Sequence, residues 1–203
     1  MSTTTYDVSL TMQDAVKQYF EVNHFGSDGG YNDKFVELKV GPMVMFLPNV
    51  PSRVRAVRVH DLHHVLTGYQ TNWIGEFEIS AWELATNCSN YGAALVLNLS
   101  ALISGLFLAP KRVFRAFVRG RRSANLYRVP YEEQLSKRVG ELRSALRLDD
   151  DAARAAGLGD VLALLGYVAL GIPVGLVMLA LAILSFPLAL GAMVVRRLRP
   201  SSK

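Results

Sequence analysis

At 203 residues the chain can build one domain with its own core, plus an appendage. A composition of 51% hydrophobic against 19% charged residues excludes an intrinsically disordered chain, and the positive mean hydropathy points toward a membrane. The single cysteine, Cys88, excludes a disulfide framework and a multi-cysteine zinc site; it reads as a buried structural thiol rather than a nucleophile.

The opening stretch MSTTTYDVSLTMQDAV has no basic region followed by an apolar run, so no secretory signal is expected. Thr11 followed by Asp14 is a capping pattern and predicts a helix over about 12–22. SDGGYND (27–33) has loop composition. FVELKV (35–40) alternates apolar and charged residues, Gly41-Pro42 predicts a turn, and MVMFL (43–47) is the expected returning strand of a short hairpin. Pro51 suits a first helical position and Gly68 a left-handed C-cap, which predicts a helix from Pro51 or Ser52 to Thr67. A polar turn, Gly68–Asn72, follows, and Thr71 or Asn72 can cap a second helix over Trp73–Asn87. Ala93–Leu108 reads as a third, almost uncharged helix.

From Lys111 to Arg128 there are seven basic residues and no acid. No nucleic-acid recognition motif accompanies them, so no nucleic-acid partner is expected. Because the run directly follows the apolar stretch Ala93–Pro110, it reads as an interfacial element facing anionic lipid head groups, with a solvated basic face as the alternative. Leu135, Val139, Leu142 and Leu146 then predict one amphipathic helix around Tyr131–Arg147.

Beyond Asp149–Asp151 the character changes. Val161–Val195 is thirty-five residues without a formal charge, which reads as membrane-embedded. As one helix it would be about 52 Å long, more than one straight span requires. Two arrangements are open: a single span over about Val174–Val195 behind an interfacial piece, or a hairpin bent near Gly171–Gly175. The basic end RRLRPSSK is expected to stay cytoplasmic, and with a cytoplasmic main domain this favours the hairpin. The division is therefore an N-terminal helix and hairpin (1–50), a helical domain (51–150) and a hydrophobic membrane segment (160–196).

Three of the four histidines fall in HDLHHVLTGYQTNWIGE (60–76). At about 100° per residue, His60, Asp61 and His64 share an arc of roughly 100° on one helix face. His60 and His64 stand one turn apart, the spacing of helix-borne two-histidine metal sites. After the polar turn, Glu76 falls in the first turn of the next helix, where a carboxylate is held ionised; antiparallel packing would bring it to His64. Two imidazoles and one or two carboxylates suit Zn²⁺, Fe²⁺ or Mn²⁺. His63 borders the arc, and Glu83 lies one heptad after Glu76. Both read as outer supports of the site or as exposed groups. His24 is isolated and has no assigned role. A zincin would need Glu directly after the first histidine, where this chain has Asp61. A His-Asp phosphohydrolase would need histidines that the chain does not have.

The spacing H-D-x-x-H, eleven residues, then E resembles the signature of the Coq4 family of ubiquinone-biosynthesis proteins. VHDLHHVLTGYQTNWIGEFEISAWELATN (59–87) is similar to the family's central block, and GRRSANLYRVPYEEQLSKRVGELRSALRL (120–148) to its closing segment. The likeness covers roughly residues 50–150, and the chain is identified as a divergent, bacterial-type member. It implies a mainly α fold and His60, Asp61, His64 and Glu76 as metal ligands, with zinc first and iron or manganese as alternatives. It also implies a membrane-bound protein of the quinone-synthesis complex, placed here at the bacterial inner membrane with its main domain cytoplasmic. The implied reaction is oxidative decarboxylation at ring carbon 1 of a polyprenylated hydroxybenzoate. Expected partners are membrane lipid, that quinone precursor, other quinone-biosynthesis enzymes and, as a homodimer, a second copy. Ala93–Leu108 is the segment nominated for the isoprenoid tail. No flavin or nicotinamide fingerprint is visible, so the oxidant is not legible. Two other classes stay open: a lipid-binding scaffold with a structural metal, and a metal hydrolase of a membrane lipid with Asp61 or Glu83 as base. An open coordination position would favour catalysis over structure.

Overall fold

The computed structural model describes residues 5–40, 43–148 and 156–198. The fold is mainly α, with one two-stranded antiparallel sheet among the described residues. In chain order the elements are α1 (Met12–Asn23), β1 (Phe35–Val40), β2 (Met43–Pro48), α2 (Pro51–Thr67), α3 (Trp73–Ala85), α4 (Gly92–Leu108), α5 (Pro110–Gly120), α6 (Tyr131–Leu135), α7 (Val139–Ala145) and α8 (Leu158–Leu198).

Local chemistry sets most of the boundaries. Thr11 Oγ1 accepts the Asp14 N–H, and its hydroxyl donates to the Asp14 carboxylate, so α1 starts where the capping pair stands. The hairpin pairs Phe35 with Pro48 and Val40 with Met43. Helix α2 starts on Pro51 and ends at Gly68, whose φ of 76° closes the helix in the left-handed region. Asn72 Oδ1 then accepts the Gly75 N–H and opens α3. The turn between α2 and α3 is so tight that a Cβ at residue 75 would drive into the Gln70 carbonyl, which is why glycine stands there.

Helix α3 lies at the centre, packed by α2, α4 and α5. Phe77, Ile79, Ala81, Trp82 and Leu84 are buried, and so are Glu78, Ser80 and Glu83. A helix buried along most of its length has to pair its buried acids, because an isolated buried carboxylate is very costly. Glu78 is met by a two-pronged Arg112 at 2.9 and 2.6 Å. Glu83 is met by four donors, described below.

The single amphipathic helix expected over Tyr131–Arg147 is instead two short helices. The N-terminal segment runs against the intervening backbone: Met12 N–H donates to the Lys137 carbonyl, and Val139 N–H donates to the Leu10 carbonyl. That pairing holds Arg138 extended and interrupts the helix. The apolar spacing is still used, since Val139, Leu142 and Leu146 are buried.

The tail also differs from the favoured hairpin. Helix α8 runs unbroken through Gly171–Gly175, with Pro173 and Pro187 inside it. Proline removes one backbone donor, whereas a reversal would expose several unpaired groups within an apolar run. Gly171 serves packing instead: a Cβ there would stand 3.1 Å from Ile103 and 3.2 Å from the Leu99 carbonyl of α4. Leu158–Leu181 is long and apolar enough to cross a bilayer. Four of the seven basic residues are paired within the protein. Besides Arg112, Arg119 donates to the carbonyls of Thr67 and Leu148, and Arg121 and Arg122 lie 3.6 and 3.4 Å from Asp160. Lys111, Arg115 and Arg128 are exposed.

Candidate metal centre

His60 and His64 stand one turn apart on α2, and Glu76 enters from the first turn of α3. Their donor atoms all lie within 4.8 Å of one another. His60 Nε2 is 3.1 Å from His64 Nε2, and the two oxygens of Glu76 are 3.3 Å from His60 Nε2 and 3.2 Å from His64 Nε2.

The outer nitrogens decide what these three atoms can do. His64 Nδ1 is 2.9 Å from the Tyr69 carbonyl, which only accepts, so Nδ1 carries the proton and Nε2 offers a lone pair. His60 Nδ1 is 3.0 Å from Glu83 Oε1, and the same reasoning holds. In the neutral state two lone pairs therefore face each other beside a carboxylate, an arrangement that calls for a cation. A proton can fill that role, and so can a divalent ion. Metal-bound histidines commonly donate their other nitrogen to a carboxylate or carbonyl, as both do here. The donor set therefore fits a divalent metal, which His60, His64 and Glu76 would hold, and two of these three residues, His60 and Glu76, border the adjoining cavity.

Electrostatics follow from the geometry. Burial pulls the His60 pKa down, but the carboxylates of Glu83 and Glu76 outweigh it and hold it well above the ordinary imidazole range. Burial raises Glu76, yet His64 and His60 outweigh that and hold it well below the usual carboxylate range. Glu83 is held down in the same way, against burial, by His60 and His63.

Glu83 is the hub of the inner support. Its Oε1 accepts from His60 and, at 2.7 Å, from His63 Nδ1; its Oε2 accepts from Asn98 Nδ2 at 2.6 Å and the Tyr127 hydroxyl at 2.8 Å. His63 turns away from the other two histidines, and its Nε2 accepts the Leu126 N–H at 2.9 Å. Burial lowers the His63 pKa, in keeping with a neutral ring.

Asp61 stands apart from the converging trio. Its carboxylate accepts from Tyr19 at 3.1 Å and Tyr31 at 2.6 Å, and burial raises its pKa despite His60 and these hydroxyls. The Tyr19 ring in turn stacks on His64, with centroids 5.7 Å apart. His24, left without a role on sequence grounds, ends α1 in the left-handed region and borders the cavity. Cys88 is buried beside Asn98, and burial pushes its thiol up to about 12, so it is a structural residue.

Tyr19, Tyr31, Asn98 and Tyr127 escaped the sequence reading. Asn98 carried a signal: it is the one amide in the apolar helix GAALVLNLSALISGLFL, and a lone amide there implies a buried partner. The tyrosines carried none, because their contacts bridge 30 to 44 residues.

Beside the trio lies a cavity of about 870 Å³. His60, Glu76 and Glu83 give it one polar wall, while Phe77, Leu97 and Ala101 give it an apolar one. A small headgroup at a polar end with a long apolar remainder matches this division.

Residues 49–151 match the family model of the coenzyme Q (ubiquinone) biosynthesis protein Coq4. No curated protein and no solved structure matches the chain. The matched region holds His60, His63 and His64, the three acids of α3 (Glu76, Glu78 and Glu83) and the closing segment 120–148, and on this ground the chain belongs to the Coq4 family, with a role in ubiquinone biosynthesis.

Proposed function

We propose that the protein carries out a metal-dependent oxidative decarboxylation at ring carbon 1 of a polyprenylated hydroxybenzoate, at the cytoplasmic face of the bacterial inner membrane. The observation that carries this reading is the meeting of two imidazole lone pairs and a carboxylate on the wall of a largely apolar cavity. His60, His64 and Glu76 would hold the ion, with zinc first and iron or manganese as alternatives. Such an ion supplies Lewis-acid polarisation of a phenolic or carboxylate oxygen as CO₂ leaves.

The chain's own groups supply the rest. Tyr69 and Glu83 fix the tautomers of His64 and His60, so both ligand nitrogens are presented without rearrangement. Ala94, Leu97 and Ala101 of α4 line the cavity for the isoprenoid tail and exclude water from the polar end. The oxidant comes from outside the chain, which fits work beside other quinone-biosynthesis enzymes.

Metal analysis by mass spectrometry of the protein purified in mild detergent tests the centre. About one ion per chain is expected in wild type, and none in His64→Ala or Glu76→Ala with the fold retained. Iron or manganese would favour the oxidative reading, and zinc a Lewis-acid or scaffold role. A metal-free wild type would overturn the site. The family resemblance adds Asp61 as a ligand, whereas its carboxylate is here bound to Tyr19 and Tyr31. Metal loss in Asp61→Asn would make it a ligand, and metal retention an anchor for Tyr19.

A further inference from the structure

Helix α4 has four kinds of face. Leu99, Leu102 and Gly105 are buried in the core and Ala94, Leu97, Asn98 and Ala101 border the metal cavity. Ile103 and Val96 approach α8, at Gly171 and at Pro173–Met178 respectively. The remaining strip, Ser100, Ser104 and Phe107 with Val96 and Leu97 at its edges, is uncharged and open, with Phe107 84% exposed and Leu108 beside it 71% exposed. Leu97 belongs both to this strip and to the cavity wall.

We propose that this strip of α4 is bedded in the acyl chains of the membrane beside α8, so that the metal cavity opens sideways into lipid rather than into water. Four observations support it. The strip is continuous with α8, whose outward residues Ile172, Leu176 and Leu179 are exposed and which is apolar enough to cross a bilayer. The two hydroxyls on the strip are folded back onto their own helix, Ser100 to the Val96 carbonyl at 3.0 Å and Ser104 to the Ser100 carbonyl at 3.2 Å. A serine so paired needs no water. The helix is followed at once by Lys111 and Arg115, exposed cations placed to meet anionic head groups. Trp73, 52% exposed at the cavity, adds an aromatic of the kind enriched at membrane interfaces. Entry of a lipid substrate by this route rests on the proposed function, but the lipid contact itself does not.

The test uses the full chain in anionic liposomes. Cys88 is buried, so a fluorophore can be placed alone at Ser100→Cys, Ser104→Cys or Phe107→Cys. Leu176→Cys on α8 and Lys17→Cys on α1 serve as references. The expected result is that the α4 probes are quenched by nitroxide-labelled lipid as strongly as Leu176→Cys and are shielded from aqueous iodide. Iodide quenching equal to that of Lys17→Cys would overturn the proposal while leaving the α8 span intact. Shielding from both quenchers would also overturn it, because protein, such as a second copy of the chain, would then cover the strip. Iodide quenching at Leu176→Cys as well would overturn the membrane reading altogether. None of these outcomes depends on turnover or metal.

Discussion

The interior of α3 and the exterior of α8 invert the usual arrangement of a soluble protein. Helix α3 buries two acids and surrounds each with donors, while α8 turns leucine, valine and isoleucine outward with few partners. The difference teaches that the two helices answer to different solvents. Inside α3 the polar groups make the structure specific, because every unmet donor would be costly. Along α8 the exterior is apolar because the surrounding medium is taken to be lipid.

The strongest way to break this contrast is to remove the hub. Glu83→Ala leaves His60, His63, Asn98 and Tyr127 without their shared acceptor, and should cost about 3–5 kcal/mol. Denaturant unfolding in detergent measures it; a loss under about 1 kcal/mol would mean that the network is slack. On the other side, Leu176→Arg sets a charge on the outward face of α8 and should cost about 2.5–3.5 kcal/mol of insertion. The same change in a water-facing helix would be nearly neutral, so unchanged recovery in the membrane fraction would count against the span. Glu83→Gln keeps the shape but loosens the hold on His60, and should weaken metal binding by about 10–100-fold in competition with a chelator.

A gentler probe is pH. Without metal, Glu76 and Glu83 contribute stability that is present above the ordinary carboxylate value and lost as pH falls through their lowered values. His60 contributes stability that is full below its ordinary value of 6.5 and lost as pH rises through its raised value. Chelated protein should therefore be most stable in mildly acidic solution and decline toward alkaline pH. Added metal should remove the alkaline decline, because the ion takes the place of the proton. Thermal melts with and without chelator test this, and a decline unaltered by metal would separate the proton site from the metal site. Gly171→Ala is the smallest change. The new methyl meets Ile103 and the Leu99 carbonyl, and should cost about 1 kcal/mol or less if α4 yields slightly. No effect on melting would mean that α8 rests loosely on the domain.

What was legible in the sequence was largely local. Thr11, Pro51, Gly68 and Asn72 marked helix ends because capping and turn chemistry act over three or four residues. The i, i+4 histidines and the short turn brought Glu76 within reach for the same reason. What was not legible depended on distant partners. The break before α7 comes from the backbone of residues 10–12, and the tyrosines take Asp61 from far upstream. Gly171-Ile-Pro173 looks like a turn when read alone, yet the glycine serves close helix contact with α4. The internal pairing within the basic run was not legible either, because the acid that Arg112 meets, Glu78, lies 34 residues earlier.

The bond from the Leu126 N–H to His63 Nε2 has a practical consequence. Leu126 sits in a stretch without a regular helix or strand, where amide protons normally exchange quickly with solvent. Here the amide is tied, through His63 and Glu83, to the ring of His60. Its exchange rate is thus a gauge on the far side of the centre, readable by hydrogen–deuterium exchange without a substrate, a dye or a mutation.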